Sequence, residues 1–456
     1  MPERPSRARL LVGGAVALTL TCSGLVAGSS ASAEPVTPGG GLGPALAPAA
    51  EELPTPFEEA GGSEWTTFEE SVAFYRELTT ASQRVSVRTI GRSVERRPLQ
   101  LVAVGEPGPK SQQEAAEGSV AFFVCSVHGD EPSGRESCMA LARDLALSTD
   151  AAVADFLEGT TVLFINANPD GWVADTRQNA QDVDVNRDYL ALETPEARAV
   201  VDVIREWKPD ILNDLHEYGP REYYETDLLH LWPRNRNVDD ELRDLAQEMS
   251  AEHAAGRVTA EGYTAGVYGQ LVKDGEPFLQ VAGDDQGRIL RNYAGLVNVV
   301  GMLSETANDP LDEAEEADES LMNRRRVEVN YLSALGSLEL VQEDPQRLAE
   351  ATAAAAERQT TAGAEQSGVI YFGGQDDMIP TDPDLVEPEP MCGYQLDDDQ
   401  VRSLGRTLAR HGIEVTRTED GDRVVELAQP TRGLIPLLLD ERSQYRLTEA
   451  TPLATC

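Results

Sequence analysis

From Val85 to about Asn308 the chain alternates short apolar runs with helical stretches, which predicts an α/β fold on a parallel or mixed sheet. Three of those runs carry a second sign, because each ends in a side chain fit for metal or proton chemistry. Val120–Val127 leads into His128-Gly-Asp-Glu131, Pro209–Leu215 into His216, and Gly301–Ser304 into Glu305. Sites in open α/β sheets gather at the carboxyl ends of strands, so the three ends predict one common site. The chain holds only five His, and two stand at these ends.

The elements follow in order. Residues 1–33 read as a secretory signal: Arg4, Arg7 and Arg9 form a basic start, Leu10–Leu20 an apolar core, and Ala31-Ser-Ala33 a cleavage site. That apolar core is too short to span a bilayer, and no other run approaches ~20 residues. The expected mature protein starts near Glu34, is secreted, and is free of the membrane after signal cleavage. Residues 34–63, rich in Pro, Gly and Ala, read as a flexible leader. A main domain is expected over 64–359, with a core at 64–308 and a helical extension at 309–359.

Glu64–Thr80 reads as its first helix. Pro132 opens a helix over Ser133–Leu147, and Thr194-Pro-Glu caps one running to Trp207. The acidic block Asp309–Glu319 reads as a solvated helical face. Val327–Arg358 reads as one or two helices, and Thr360–Gln366 as a linker. Residues 367–456 read as a small α+β unit. It has a strand at Val369–Phe372, a helix at Asp397–Leu408, and a hairpin of Ile413–Arg417 with Arg423–Leu427. No catalytic constellation appears there; a structural or substrate-shaping role is expected, with a binding module as the alternative.

Composition sets the partners. With 79 acidic against 38 basic residues the formal charge is −41, which argues against nucleic acid. Of five Cys, Cys22 lies in the signal. Export permits disulfides, and Cys392 with Cys456 is the favoured pair, stapling the terminal unit. Cys125 and Cys138 read equally as a bridge or as two buried thiols. A monomer is expected.

The chemistry starts from His128 and Glu131, three residues apart on the turn between a strand and a helix. One imidazole and one carboxylate at that spacing reach the same cation. A third ligand from elsewhere would leave one position open, as in catalytic zinc sites. Taken alone, His-x-x-Glu is more often an exposed His beside a solvated Glu. His216 and Glu305 change that balance: two His and one Glu as ligands with a second Glu as base make a hydrolytic zinc centre. Between them, Asn168-Pro-Asp-Gly171 is a turn signal, and Arg177 and Arg187 are cations on loops. A guanidinium binds a carboxylate bidentately or stabilises an oxyanion. Ordinary surface pairing with the many Asp and Glu is the alternative.

Together these residues resemble the zinc metallocarboxypeptidase family, of the carboxypeptidase A, B and E type. The motifs are His128-Gly-Asp-Glu131, Asn168-Pro-Asp-Gly171, Thr176-Arg177, Val185-Asn-Arg-Asp188, Asp214-Leu-His216 and Leu303-Ser-Glu305, over about Phe68–Ala307. Ile90–Leu99 is similar to the family's entry hairpin. The resemblance implies a carboxypeptidase-like mixed sheet flanked by helices. It implies one Zn²⁺ held by His128, Glu131 and His216, and Glu305 as the general base activating the zinc-bound water. It implies Arg177 on the oxyanion, and Asn186 and Arg187 on the free C-terminal carboxylate of a peptide substrate.

The chain departs from the family at three places. Asp130 stands where carboxypeptidase A has an Arg. None of Tyr263, Tyr268 and Tyr293 is a clear counterpart of the family's capping Tyr. Among residues 284–292, Arg288 or Arg291 in the specificity pocket would favour an acidic terminal side chain, Asp284 or Asp285 a basic one. Two other functions fit the same core. One is a zinc amidase or deacylase acting on cell-wall peptides or acyl-amino acids; the other is a non-catalytic secreted binding protein.

Overall fold

The computed structural model describes residues 42, 46, 52–108, 110–219, 224, 226–273, 276–279, 285–373 and 382–456. For 270–273 and 276–279 it describes the backbone alone. The expected signal, with Cys22 and the Ala31–Ala33 site, lies outside these residues, as do most of the leader and Asp284.

Strands β1 (Val85–Arg92), β2 (Pro98–Val104), β3 (Ser119–Val124), β4 (Thr160–Ile165), β5 (Ile211–Tyr218), β6 (Leu228–Leu231) and β7 (Ala265–Val267) precede a separate hairpin. That hairpin is β8 (Gln270–Lys273) and β9 (Glu276–Leu279), and β10 (Val300–Ala307) follows it. The hairpin apart, they form one eight-stranded mixed sheet in the order β1-β2-β4-β3-β5-β10-β6-β7. β3, β4, β5 and β10 run parallel, so the ends of β3, β5 and β10 that carry the three motifs open on one side.

β3 and β4 read as largely apolar runs because both faces are covered. Every residue of β3, β4 and β5 is buried. Phe122, Phe123 and Phe164 are at most 1% exposed, and each contributes ~1.5–3 kcal/mol by leaving water. The β1–β2 pairing is the expected entry hairpin.

The helix Ser133–Leu147 has the predicted bounds and is buried throughout except at Leu147. Its cover is the helix Glu319–Glu343, from which Asn330 Nδ2 reaches Ser133 Oγ at 2.8 Å. The first long helix, Phe68–Ala81, starts later than expected because Thr67 and Glu70 form a capping box there. Pro195–Trp207 starts on the Thr194 cap as predicted.

Downstream, the helices begin earlier and end later than the sequence suggested. Glu313–Ala317 and Glu319–Glu343 take up much of the acidic block, Asp344–Pro345 makes the break, and Pro345–Ala364 absorbs most of the expected linker. The last residues form a small four-stranded sheet, including the predicted hairpin, with the helix Asp398–Arg410 beside it. Two disulfides are present, Cys125–Cys138 and Cys392–Cys456.

Candidate metal centre and cleft

His128 stands four residues beyond the end of β3, on a turn fixed from two sides. A β-carbon at Gly129 would lie 1.9 Å from the carbonyl carbon of Gly171, so the Asn168–Gly171 turn packs backbone against backbone there. Asn168 joins the two turns: its Oδ1 accepts from Gly171 N at 2.9 Å and its Nδ2 donates to Val127 O at 3.2 Å. The Cys125–Cys138 bridge closes around the same turn and the start of the helix after it. The two motifs of the sequence are therefore two halves of one structural unit.

His128 Nδ1 lies 2.8 Å from Glu131 Oε1, and His216 Nδ1 lies 2.9 Å from Glu131 Oε2. The two Nδ1 atoms are 3.1 Å apart. His128, Glu131 and His216 are 2%, 7% and 3% exposed. Four ligands at ~2.0–2.1 Å from a tetrahedral zinc stand about 3.3 Å from one another, so this spacing fits that ion.

Both rings are aimed from behind. His128 Nε2 meets Asp184 Oδ1 at 3.1 Å, and His216 Nε2 meets Asp214 Oδ2 at 2.8 Å. Assigning the Nε2 protons to these carboxylates leaves both Nδ1 lone pairs facing one point. Neither Asp was given a role from the sequence. The signal was there for Asp214: two residues before His216 on a strand, it shares that residue's face.

Burial opposes charge on all three residues, and their neighbours override it. Burial works against protonated His128, but Glu131 and Asp184 raise its pKa. Burial likewise works against His216, while Asp214 and Glu131 hold it well above the ordinary range. Glu131 is pushed up by burial and pulled well below the usual carboxylate range by the two His. A divalent cation held by these three groups would displace the protons that the carboxylates otherwise keep on the two rings.

The β5–β10 pairing places the fourth residue, with Glu305 directly opposite His216 in parallel register. The Glu305 carboxylate has no hydrogen bond or ion pair among the described residues. Burial pushes its pKa up to about 7, against the pull of His216. Arg177 reaches across the mouth, with Nε 3.1 Å from Asp184 Oδ2 and Nη1 3.2 Å from Glu131 Oε1. Asn186 is restrained, since its Nδ2 donates to Asp214 Oδ2 at 3.1 Å and its Oδ1 accepts from Leu290 N at 2.9 Å. Arg187 Nη1 donates to Asn186 O at 2.8 Å.

All seven residues singled out in the sequence line one cleft of about 300 Å³. Asp130, Tyr268, Ile289 and Arg291 line it too. Of the three tyrosines considered, only Tyr268 reaches the cleft. Tyr293 is buried against His411 and Tyr263 donates to Glu328 at 2.7 Å. Of the specificity candidates, Arg291 lines the cleft, whereas Arg288 is turned onto Tyr445, its guanidinium 3.8 Å from the ring centre.

Residues 72–276 match the family model described as zinc carboxypeptidase. The chain is 28% identical over 258 residues to carboxypeptidase 2 of Trichophyton rubrum, a match covering 54% of this chain and 48% of that protein. With probable carboxypeptidase 2 of Trichophyton verrucosum, identity is 33% over 191 residues, covering 40% and 36%. The chain therefore spans half or less of the length of these curated relatives. A solved metallo-carboxypeptidase from Burkholderia cenocepacia aligns with a TM-score of 0.48 at 19% identity, covering 61% of this chain and 70% of that one. Six of the seven residues fall inside the family match, and Glu305 lies beyond it, brought in by the sheet. The stretch 72–276 belongs to the zinc carboxypeptidase family.

Proposed function

We propose that this protein is an exported, monomeric zinc carboxypeptidase that removes single residues from the free C-terminus of peptides. The observation that carries this is the convergence of His128, Glu131 and His216 with an unpaired Glu305 beside them. His128, Glu131 and His216 would hold the ion. Bound zinc supplies Lewis acidity, polarising a peptide carbonyl and making water acidic enough to ionise near neutral pH.

The other steps belong to the side chains. Glu305 takes a proton from the attacking water and returns it to the departing amine, a task suited to a carboxylate titrating near neutrality. Arg177, at the mouth, donates to the oxyanion as the carbonyl becomes tetrahedral. Arg187, with one donor used on Asn186 O, turns the others to the substrate's terminal carboxylate. Asn186 holds that end in place through Leu290. A clamp for a free carboxylate makes the enzyme read chain ends. Export rests on the basic start, apolar core and Ala31-Ser-Ala33 site of residues 1–33.

The test is a mass-spectrometric time course on peptides with free or amidated C-termini, with and without chelator, for the parent and Glu305→Gln. Stepwise, chelator-sensitive shortening of free ends only is expected. The variant should lose ~10²–10⁴-fold in rate while keeping one zinc per chain. Parental rates in the variant would remove Glu305 from its role. A zinc-loaded parent that trims nothing would turn the reading to an amidase, a deacylase or a non-catalytic binder.

A further inference from the structure

Residues 382–456 lie beyond the family match, yet they hold one wall of the cleft. That wall is the segment 285–296, ending in the helix Leu290–Leu296, and it contributes Ile289 and Arg291 to the cleft. On its inner side it is joined to the loop of Asn186 and Arg187. Leu290 N donates to Asn186 Oδ1 at 2.9 Å, and Tyr189 N donates to Arg288 O at 3.4 Å.

On its outer side the same two pieces meet again, through His411. Tyr293 of the wall helix donates its hydroxyl to His411 Nδ1 at 2.9 Å. His411 Nε2 donates to Leu190 O at 3.0 Å, three residues after Arg187. His411 is 3% exposed and Tyr293 1%, so water replaces neither bond. Only the neutral ring with its proton on Nε2 makes both bonds in this sense, and burial keeps it neutral by lowering its pKa to about 4. A second tie lies nearby: Arg288 Nη2 donates to Tyr445 OH at 3.0 Å.

We propose that His411 is a positioning residue that clasps the wall 285–296 to the Asn186–Arg187 loop and so sets the geometry of the carboxylate end of the cleft, on the carboxypeptidase reading above. The terminal unit then acts on the reaction without touching the reacting atoms. Loosening the clasp releases Leu290 from Asn186 and shifts the donors that meet the substrate carboxylate. Weaker substrate binding follows, with the chemical step at the metal cluster little changed.

The experiment compares full-length zinc-loaded parent, Tyr293→Phe, His411→Phe and the double variant. Tyr394→Phe serves as control, because it removes a buried bond to Asp440 (2.8 Å) inside the terminal unit, away from the wall. The probe is an N-acylated dipeptide with a free carboxylate. Both single variants should raise KM about ten-fold with kcat within about two-fold, and the double variant should be no worse than either. Amide exchange should speed up in 285–296 and in 185–192 together. Tyr394→Phe should change neither. An unchanged KM, parental exchange in 185–192, or an equal KM rise in the control overturns the proposal. A parent that trims no peptide sinks the carboxypeptidase reading instead, and the exchange data still decide the clasp.

Discussion

Asp214 shows how one carboxylate governs the centre without facing the cleft. It is fully buried, accepts from His216 Nε2 at 2.8 Å and from Asn186 Nδ2 at 3.1 Å, and so fixes a ring and a loop at once. Asp214→Asn keeps the shape and removes the charge that makes His216 a strong ligand. Zinc affinity should fall ~10–100-fold, read by competition with a chromophoric chelator. Parental affinity would show that His216 is aimed by something else. The ligands themselves were legible because each sits at a strand end in a recognisable local pattern. Their supports were less so. A carboxylate two residues before a ligand shares its strand face, but it becomes a partner only once Asn186, distant in sequence, closes over it. The partners of Arg288 and Tyr293 were illegible for the same reason. Tyr445 and His411 lie 157 and 118 residues away from them, and no periodicity links such pairs.

At the scale of elements, the sheet's other end carries a cost that pH can expose. Asp210, just before β5, donates its backbone N to Val120 O at 2.8 Å and accepts from Val120 N through its side chain, also at 2.8 Å. It is 8% exposed, and burial raises its pKa from 3.8 to about 6. A carboxyl that binds its proton more tightly when folded stabilises the fold fully below pH 3.8, and that contribution is lost as pH rises through about 6. Asp210→Asn, which does not titrate, should be more stable than the parent by ~1–3 kcal/mol at pH 8 and no more stable at pH 3.5. Urea melts at the two pH values check this, and a variant weaker than the parent at pH 8 would contradict it. Helix ends followed local chemistry in the same way. The Thr194 cap could be read directly, whereas the extent of Glu319–Glu343 depends on its packing over Ser133–Leu147, and charge pattern alone understated it.

Across the whole molecule, one apolar cluster runs from Leu101 and Phe122 in the large sheet to Tyr394 and Leu438 in the terminal unit. The Cys392–Cys456 bridge ties the last residue back to the strand Gly393–Leu396. Replacing both cysteines by Ala should lower stability by ~2–4 kcal/mol, since the unfolded chain loses a closed loop of 64 residues. Because the core is shared, calorimetry should show one transition moved down in temperature, and a second, separate transition would contradict a shared core. The β5–β10 register has its own bearing on how the chain tolerates changes of length. Glu305 and His216 meet because two strands are in step, whatever the path between them. A residue added at the exposed turn Glu261-Gly262 leaves the pair facing each other. One added inside β10 ahead of Glu305 turns that carboxylate to the opposite face of the sheet. Evolution is thus free to lengthen the route between base and ligand, and held to the single residue within the strands themselves.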